Sequence, residues 1–451
     1  MKTLALALLI LSGEAFANLH LAPPDFNLRE GRAIFVDFKS ADYHITYDFY
    51  SSRVYVKTYI KFFSSQSGHP IFDLVPNAYN VKLDGQKVGQ MEVSLPDNTS
   101  KVRLAKATID PGEHVLEIDS DITENVIFNE APFDSVSSAF WIRDLKERMF
   151  LEQYLPSNLE YDQYKMTLHL KFDGIYHVDQ EFFTNGVVSK VSKDSWKIEF
   201  PEYFTASSPF FHTTQKGWMK RRDFNYKSID GRQIPVTVYS PNWKRTNTFR
   251  TATKKYMAEL EADYGPWGHP SFVAYGTITG SGGMEHAGAT ATSLGALDHE
   301  MLHSYFAKGV MPANGNSGWI DEAIATWRDN GYPRHTHPGF IGSNLGAHSL
   351  YQRRTDNRAY SLGAGFMAYL DYRLSNQGGL KPFLKGYFQT YKHTMITTEH
   401  FKNNLQFFTG IDFGEEFWIY IWGTNPTNKK EDEIINSKHR FLSDAELKSL
   451  L

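Results

Sequence analysis

Leu297-Asp298-His299-Glu300-Met301-Leu302-His303-Ser304-Tyr305-Phe306 is the stretch on which the reading of this 451-residue chain turns. Its apolar spacing predicts a helix. On a helix, His299 and His303 lie one turn apart on the same face. Their imidazoles can converge on one metal ion at about 2.0–2.1 Å each. Glu300, beside the first histidine, points toward a water on that ion rather than to the ion itself.

A catalytic zinc needs three protein ligands and an open position. Eighteen residues separate His303 from Glu322, which lies in Gly318-Trp319-Ile320-Asp321-Glu322-Ala323-Ile324-Ala325-Thr326-Trp327. That stretch also reads as a helix, with Ser317 as its natural cap. Packed antiparallel on the first helix, it could deliver the Glu322 carboxylate to the two imidazoles. Glu322 has apolar neighbours, including two Trp, and a carboxylate there needs a partner. Upstream, Ser281-Gly282-Gly283-Met284-Glu285-His286 lets a backbone approach a ligand closely. A strand at that place can add a peptide by edge hydrogen bonding. Glu285 would present a fixed negative charge to a substrate with a free α-ammonium.

The rest of the chain divides in two. Over residues 34–205 the period is 2. Val54, Val56, Thr58, Ile60 and Phe62 alternate with Tyr55, Lys57, Tyr59 and Lys61, and Tyr164 to Phe172 behaves likewise. Asp84-Gly85, Pro111-Gly112, Asp173-Gly174 and Asn185-Gly186 read as turns between antiparallel strands. One more hairpin turn is expected at Asp230-Gly231. Helical spacing follows at residues 246–264, 364–374, 380–391 and 398–408, with a short strand at 271–276. Residues 424–433 read as a solvated connector, and Ser443 as the cap of a last short helix. The expected fold is α+β multidomain: an N-terminal antiparallel β domain over residues 18–212, then a mostly helical catalytic domain over 213–451.

Composition narrows the function classes. Hydrophobic residues make up 41% and aromatic ones 15%, too rich for a disordered chain. The net charge of −4 offers no general attraction to nucleic acid, and the densest basic run, Lys220-Arg221-Arg222, reads as a solvated loop face. There is no cysteine, hence no thiol nucleophile and no thiolate metal site. Lys2, an apolar run from Leu4 to Leu11 and Ala15-Phe16-Ala17 read as a secretory signal peptide over residues 1–17. The run is shorter than the roughly 20 apolar residues a membrane span needs. A soluble exported protein, periplasmic or secreted, with no stable membrane insertion is the expectation.

Gly282-Gly283-Met284-Glu285-His286, then His299 to His303, eighteen residues, and Glu322 together resemble the gluzincin zinc aminopeptidases of the alanyl-aminopeptidase and leukotriene-hydrolase type. Their pattern is Gly-x-Met-Glu-Asn, His-Glu-x-x-His, eighteen residues, Glu. Leu155-Pro156 with the strand after it, Phe183-Thr184-Asn185-Gly186 and Ala206-Ser207-Ser208-Pro209-Phe210 are similar to segments of the family's first domain. The resemblance implies a saddle-like β domain before a thermolysin-like catalytic domain. It implies one zinc ion on His299, His303 and Glu322, with Glu300 as general base. It also implies a peptide substrate, its amino terminus held by Glu285 beside Gly282, Gly283 and Met284. Tyr360, in Tyr360-Ser361-Leu362-Gly363, is similar to the family's oxyanion-stabilising tyrosine, with Leu362 in place of its lysine. Tyr387 and Tyr351 are the other tyrosines considered for that role.

Two departures bear on activity. His286 replaces the family's Asn, and the Gly-Gly-x-Glu-His form resembles the related glycyl aminopeptidases. The chain also ends early for a helical C-terminal domain, so the cleft is expected to be more open. An N-terminal-residue-trimming aminopeptidase is the main expectation. An open-cleft zinc endopeptidase acting on exported polypeptides and a catalytically idle binding scaffold are the alternatives. His335, His337, Arg353 and Arg354 are expected on a surface loop.

Overall fold

The computed structural model describes residues 18–129, 135–174, 179–277 and 282–423. Residues 1–17, expected as a signal peptide, Ser281, the connector expected at 424–433 and the short helix expected after Ser443 lie outside the described residues.

The first half is β structure, because its period-2 stretches each bury one face. Asp37–Asp48, Arg53–Ser64, Gly112–Asp121 and Lys165–Asp173 are the long strands at the centre of a 12-stranded sheet. In Arg53–Ser64, Val54, Val56, Thr58, Ile60 and Phe62 are all buried, as the alternation predicts. The register Tyr43↔Thr58 and Ile45↔Val56 keeps both strands' apolar sets on one face. Most pairings are antiparallel, but Asp37–Asp48 runs parallel to Lys165–Asp173. Asp84 and Gly85 both take positive φ in the turn between Ala78–Leu83 and Gln86–Ser94, the geometry of a tight hairpin.

A second, four-stranded sheet contains Val126–Asn129, Ser135–Ala139, Phe211–Gln215 and Gln180–Thr184. Strand Phe211–Gln215 spans the expected domain boundary at residue 212. Asn185-Gly186 is not a hairpin turn: Gln180–Thr184 and Val187–Lys190, on its two sides, belong to different sheets. Asn185 is instead a buried strut. Its Nδ2 donates to the carbonyls of Ser208 and Ala287, and its Oδ1 accepts from Phe210 N.

The second half opens with the Asp230-Gly231 hairpin, between Lys220–Lys227 and Gln233–Ser240. Lys220-Arg221-Arg222 therefore lies in a strand, not a loop; Arg221 pairs with Asp223 and Arg222 stacks on Trp243. The five-stranded sheet runs Lys220–Lys227, Gln233–Ser240, Phe272–Gly276, Ala289–Thr292, Gly283–His286. Gly283–His286 is antiparallel to Ala289–Thr292 and forms the sheet's edge.

Helix α1 (Trp243–Tyr264) is capped by Asn242, whose side chain accepts from Arg245 N. It packs on α2 (Leu297–Leu302) and on the sheet. Then come α3 (Trp319–Asp329), α4 (Leu362–Arg373), α5 (Lys381–Tyr391) and α6 (Thr398–Thr409). Trp267, Trp319 and Trp327 are fully buried in the core. Trp319 Nε1 donates to Thr398 Oγ1 and Trp327 Nε1 to the Pro333 carbonyl, so both burials leave their polar atoms paired. Ser317 does not cap α3. Gly318 stands at the cap, and Ser317 Oγ accepts from Thr398 N, tying α3 to α6.

Candidate active site

Helix α2 is short. It ends at Leu302, and His303 continues in right-handed helical conformation (φ −59°, ψ −17°) as its C-cap. That suffices to place His299 and His303 one turn apart, with ring centroids 4.8 Å from each other. Glu322 comes from the first turn of α3. Its Oε2 lies 3.2 Å from His299 Nε2 and 3.5 Å from His303 Nε2. Donor atoms of the three residues all lie within 4.8 Å of one another.

The other ring nitrogens explain the aim. His299 Nδ1 donates to Asp329 Oδ2 at 2.7 Å, and His303 Nδ1 donates to the Phe306 carbonyl at 3.2 Å. With Nδ1 of each ring committed to its own acceptor, both Nε2 atoms face Glu322. Two imidazole Nε2 atoms and a carboxylate converging on one point are a donor set that tetrahedral zinc takes, the metal replacing any proton they share. Burial opposes a charge on His299, but Asp329 and Glu322 outweigh it and hold its pKa well above the ordinary imidazole value. Asp329 was not singled out from the sequence. It lies seven residues after Glu322, two turns along the same helix face, and that spacing was the available signal.

Glu300 is buried under the edge strand. A Cβ on Gly283 would stand 2.5 Å from Glu300 Cγ and 2.4 Å from Thr292 Oγ1. Any side chain at 283 would have to displace Glu300 or Thr292, whereas a Cβ on Gly282 meets nothing within 4 Å. Burial, then the charge of Glu285, pushes the Glu300 carboxyl up to about 8. A carboxylate in that range is suited to accept and return a proton near neutral pH.

Tyr360 ends the short turn Asn357–Tyr360, capped by Asp356, just before α4. Its hydroxyl donates to Glu322 Oε1 at 2.5 Å, and its ring lies nearly parallel to that of His299. Burial and Glu322 raise its pKa, so it stays a proton donor. The other two tyrosines are elsewhere: Tyr387 bonds His400, and Tyr351 donates to the Pro24 carbonyl.

Glu285, on the edge strand, is buried, and its carboxylate lies within 4.8 Å of donor atoms of Glu300 and His303. Met284 stands partly exposed beside it, its carbonyl bonded by Thr290 Oγ1. His286 turns away, with Nδ1 donating to the Pro209 carbonyl. Asp144, from the β half, completes the acidic rim; burial, then Glu285 and Glu322, push it up to about 8. Lys308 Nζ, 3.4 Å from Glu285 Oε1, was absent from the sequence reading.

Of the four residues expected on a surface loop, His335, His337 and Arg354 are exposed. Arg353 is not. It is buried in the β half, bonded to both oxygens of Glu160 and to Asp73 and Glu152.

No protein-family model matches this sequence, and no curated protein does. Solved structures do match by fold. Yeast LTA4 hydrolase superposes with a TM-score of 0.60 at 14% identity, over 92% of this chain and 74% of that one. An M1 zinc metallopeptidase from Deinococcus radiodurans gives 0.58 at 15% identity, over 87% and 95%. A two-domain M1 zinc metallopeptidase mutant bound to L-tryptophan gives 0.59 at 15%, over 90% and 98%. A β-rich first half, then a five-stranded sheet and helices around a His-His-Glu cluster: this chain has the fold of LTA4 hydrolase and the M1 zinc metallopeptidases.

Proposed function

We propose that this protein is a zinc aminopeptidase that removes N-terminal residues from peptides. The observation that carries the reading is the convergence of His299, His303 and Glu322, with Glu300, Tyr360 and Glu285 around them. Residues 18–212 form the β domain and the residues from 213 onward the catalytic domain in this reading. The first seventeen residues direct export. The fold neighbours support the peptidase reading, several of them being M1 zinc metallopeptidases and one of these carrying a Tyr-Ser-Ala substrate.

His299, His303 and Glu322 would hold the zinc ion. Bound there, zinc would supply Lewis acidity and bring the pKa of a water toward about 7. Glu300 takes the proton of the attacking water and returns it to the leaving amine. The Tyr360 hydroxyl, on leaving Glu322 Oε1, donates to the oxygen that becomes negative as the scissile carbonyl is attacked. Glu285 accepts the substrate's α-ammonium and so selects the first peptide bond. The edge strand Gly283–His286 offers backbone partners to an extended peptide; among the described residues no strand pairs its outer edge.

The test is zinc content by plasma mass spectrometry, with hydrolysis of an aminoacyl p-nitroanilide and its N-acetylated twin. One zinc per chain and cleavage of the free-amine substrate alone are expected. Absence of stoichiometric zinc refutes the metallopeptidase reading. Equal cleavage of both substrates refutes the aminopeptidase reading in favour of an endopeptidase.

A further inference from the structure

Lys308 lies inside the candidate site, yet no step proposed above uses it. Its side chain is 5% exposed, and so is that of Glu285, its partner at 3.4 Å. Its Nζ also donates to Ser207 Oγ at 3.1 Å, in the turn where the β half meets the catalytic half. Asp144 and Asp321 add negative charge around it. Burying an ammonium is costly, and it is tolerated only with partners that satisfy it.

The backbone supports the same conclusion independently. Lys308 follows Ala307, whose φ of +140° is one that side-chain-bearing residues rarely adopt. On its other side, a Cβ on Gly309 would stand 2.5 Å from the carbonyl oxygens of both Ser304 and Tyr305. Lys308 N donates to the His303 carbonyl at 2.9 Å, closing the turn directly on a proposed zinc ligand. The chain is held in a strained, tightly packed loop that turns Lys308 inward.

Glu285 needs such a partner. Its carboxylate lies within 4.8 Å of donor atoms of both Glu300 and His303, close enough for an untethered side chain to turn onto the metal ligands. With Oε1 ion-paired to Lys308, the second oxygen is the one turned to a ligand. We propose that Lys308 is the positioning residue of amine recognition, tethering Glu285 so that its free oxygen faces the substrate's α-ammonium. This rests on the aminopeptidase reading and deepens it.

The test compares binding of L-alaninamide and N-acetyl-L-alaninamide to the zinc-loaded protein by calorimetry, beside kcat/KM on the free and acetylated p-nitroanilides. Wild type, Lys308→Met, Lys308→Arg, Glu285→Gln and the Lys308→Met/Glu285→Gln double variant are measured. Lys308→Met is expected to lower the free-to-acetylated preference by about tenfold or more, the scale of one hydrogen bond to a charged group, with Lys308→Arg recovering part of it. In the Glu285→Gln background, Lys308→Met is expected to change the preference no further. A loss shared equally by both probes, or an effect that persists without Glu285, overturns the proposal. If Lys308→Met does not fold, Ser207→Ala loosens the same tether. A smaller fall in preference is then expected, and an unchanged preference overturns the proposal. Wild-type binding that ignores acetylation removes amine recognition by Glu285 itself. Wild-type discrimination that survives Lys308→Met overturns the tether alone.

Discussion

Replacing Gly283 by alanine adds one carbon at the narrowest point of the site. Built on the existing backbone, that carbon stands 2.4 Å from Thr292 Oγ1, 2.5 Å from Glu300 Cγ and 2.7 Å from Glu300 Cδ. Ordinary carbon contacts begin near about 3.5 Å, so strand and helix must separate, or Glu300 must swing, by about 1 Å. The backbone at Gly283 is not in the left-handed region, so the whole effect comes from the added carbon. Overpacking of this kind costs about 1–3 kcal/mol of stability. Displacing a catalytic group by about 1 Å costs about 10²-fold in rate. The assays are urea denaturation and kcat/KM on an aminoacyl p-nitroanilide. Gly282→Ala, with open space around its Cβ, is the stability control and is expected to stay within about 0.5 kcal/mol of wild type. A Gly283→Ala protein with wild-type stability and wild-type kcat/KM refutes the close packing of Glu300 beneath the edge strand.

Glu300→Gln is expected to keep its zinc and lose about 10²–10⁴-fold in kcat, checked by metal analysis and steady-state kinetics on the same sample. Asp329→Ala removes the acceptor of His299 Nδ1 and is expected to weaken zinc binding about 10–100-fold, read by competition with a chromogenic chelator. Arg353→Met leaves Glu160, Glu152 and Asp73 without their shared buried cation. A destabilisation of about 3–5 kcal/mol is expected in urea unfolding, and a loss below about 1 kcal/mol would contradict the buried ion cluster. Burial holds His212 down to about 4 and His269 down to about 3. Above about pH 6.5 neither folded nor unfolded chain protonates them. As pH falls from about 6.5 toward 4 only the unfolded chain takes up the protons, so stability drops by about 1.4 kcal/mol per group per pH unit. Unfolding free energy that stays flat over that window in phosphate and acetate buffers would refute it.

The part of this protein legible from residue order alone is what backbone periodicity encodes. A repeat of two placed Val54, Val56, Thr58, Ile60 and Phe62 on one buried face, and a repeat near four placed His299 and His303 together. The gap of eighteen residues and an apolar helix made Glu322 readable as their partner. These signals survive because strand and helix geometry are the same in every fold. Tertiary structure decided the pairings between residues far apart in the chain. Lys308 meets Ser207 across 101 positions, and Arg353 meets Glu160 across 193. Asn185 left its expected turn to bridge Ser208 and Ala287, and Ser317 left its expected cap to bond Thr398. In each case a short polar side chain or a buried charge found its partner on a distant segment. Local spacing carries no information about such encounters, since only the packing of whole layers brings those segments within hydrogen-bond reach.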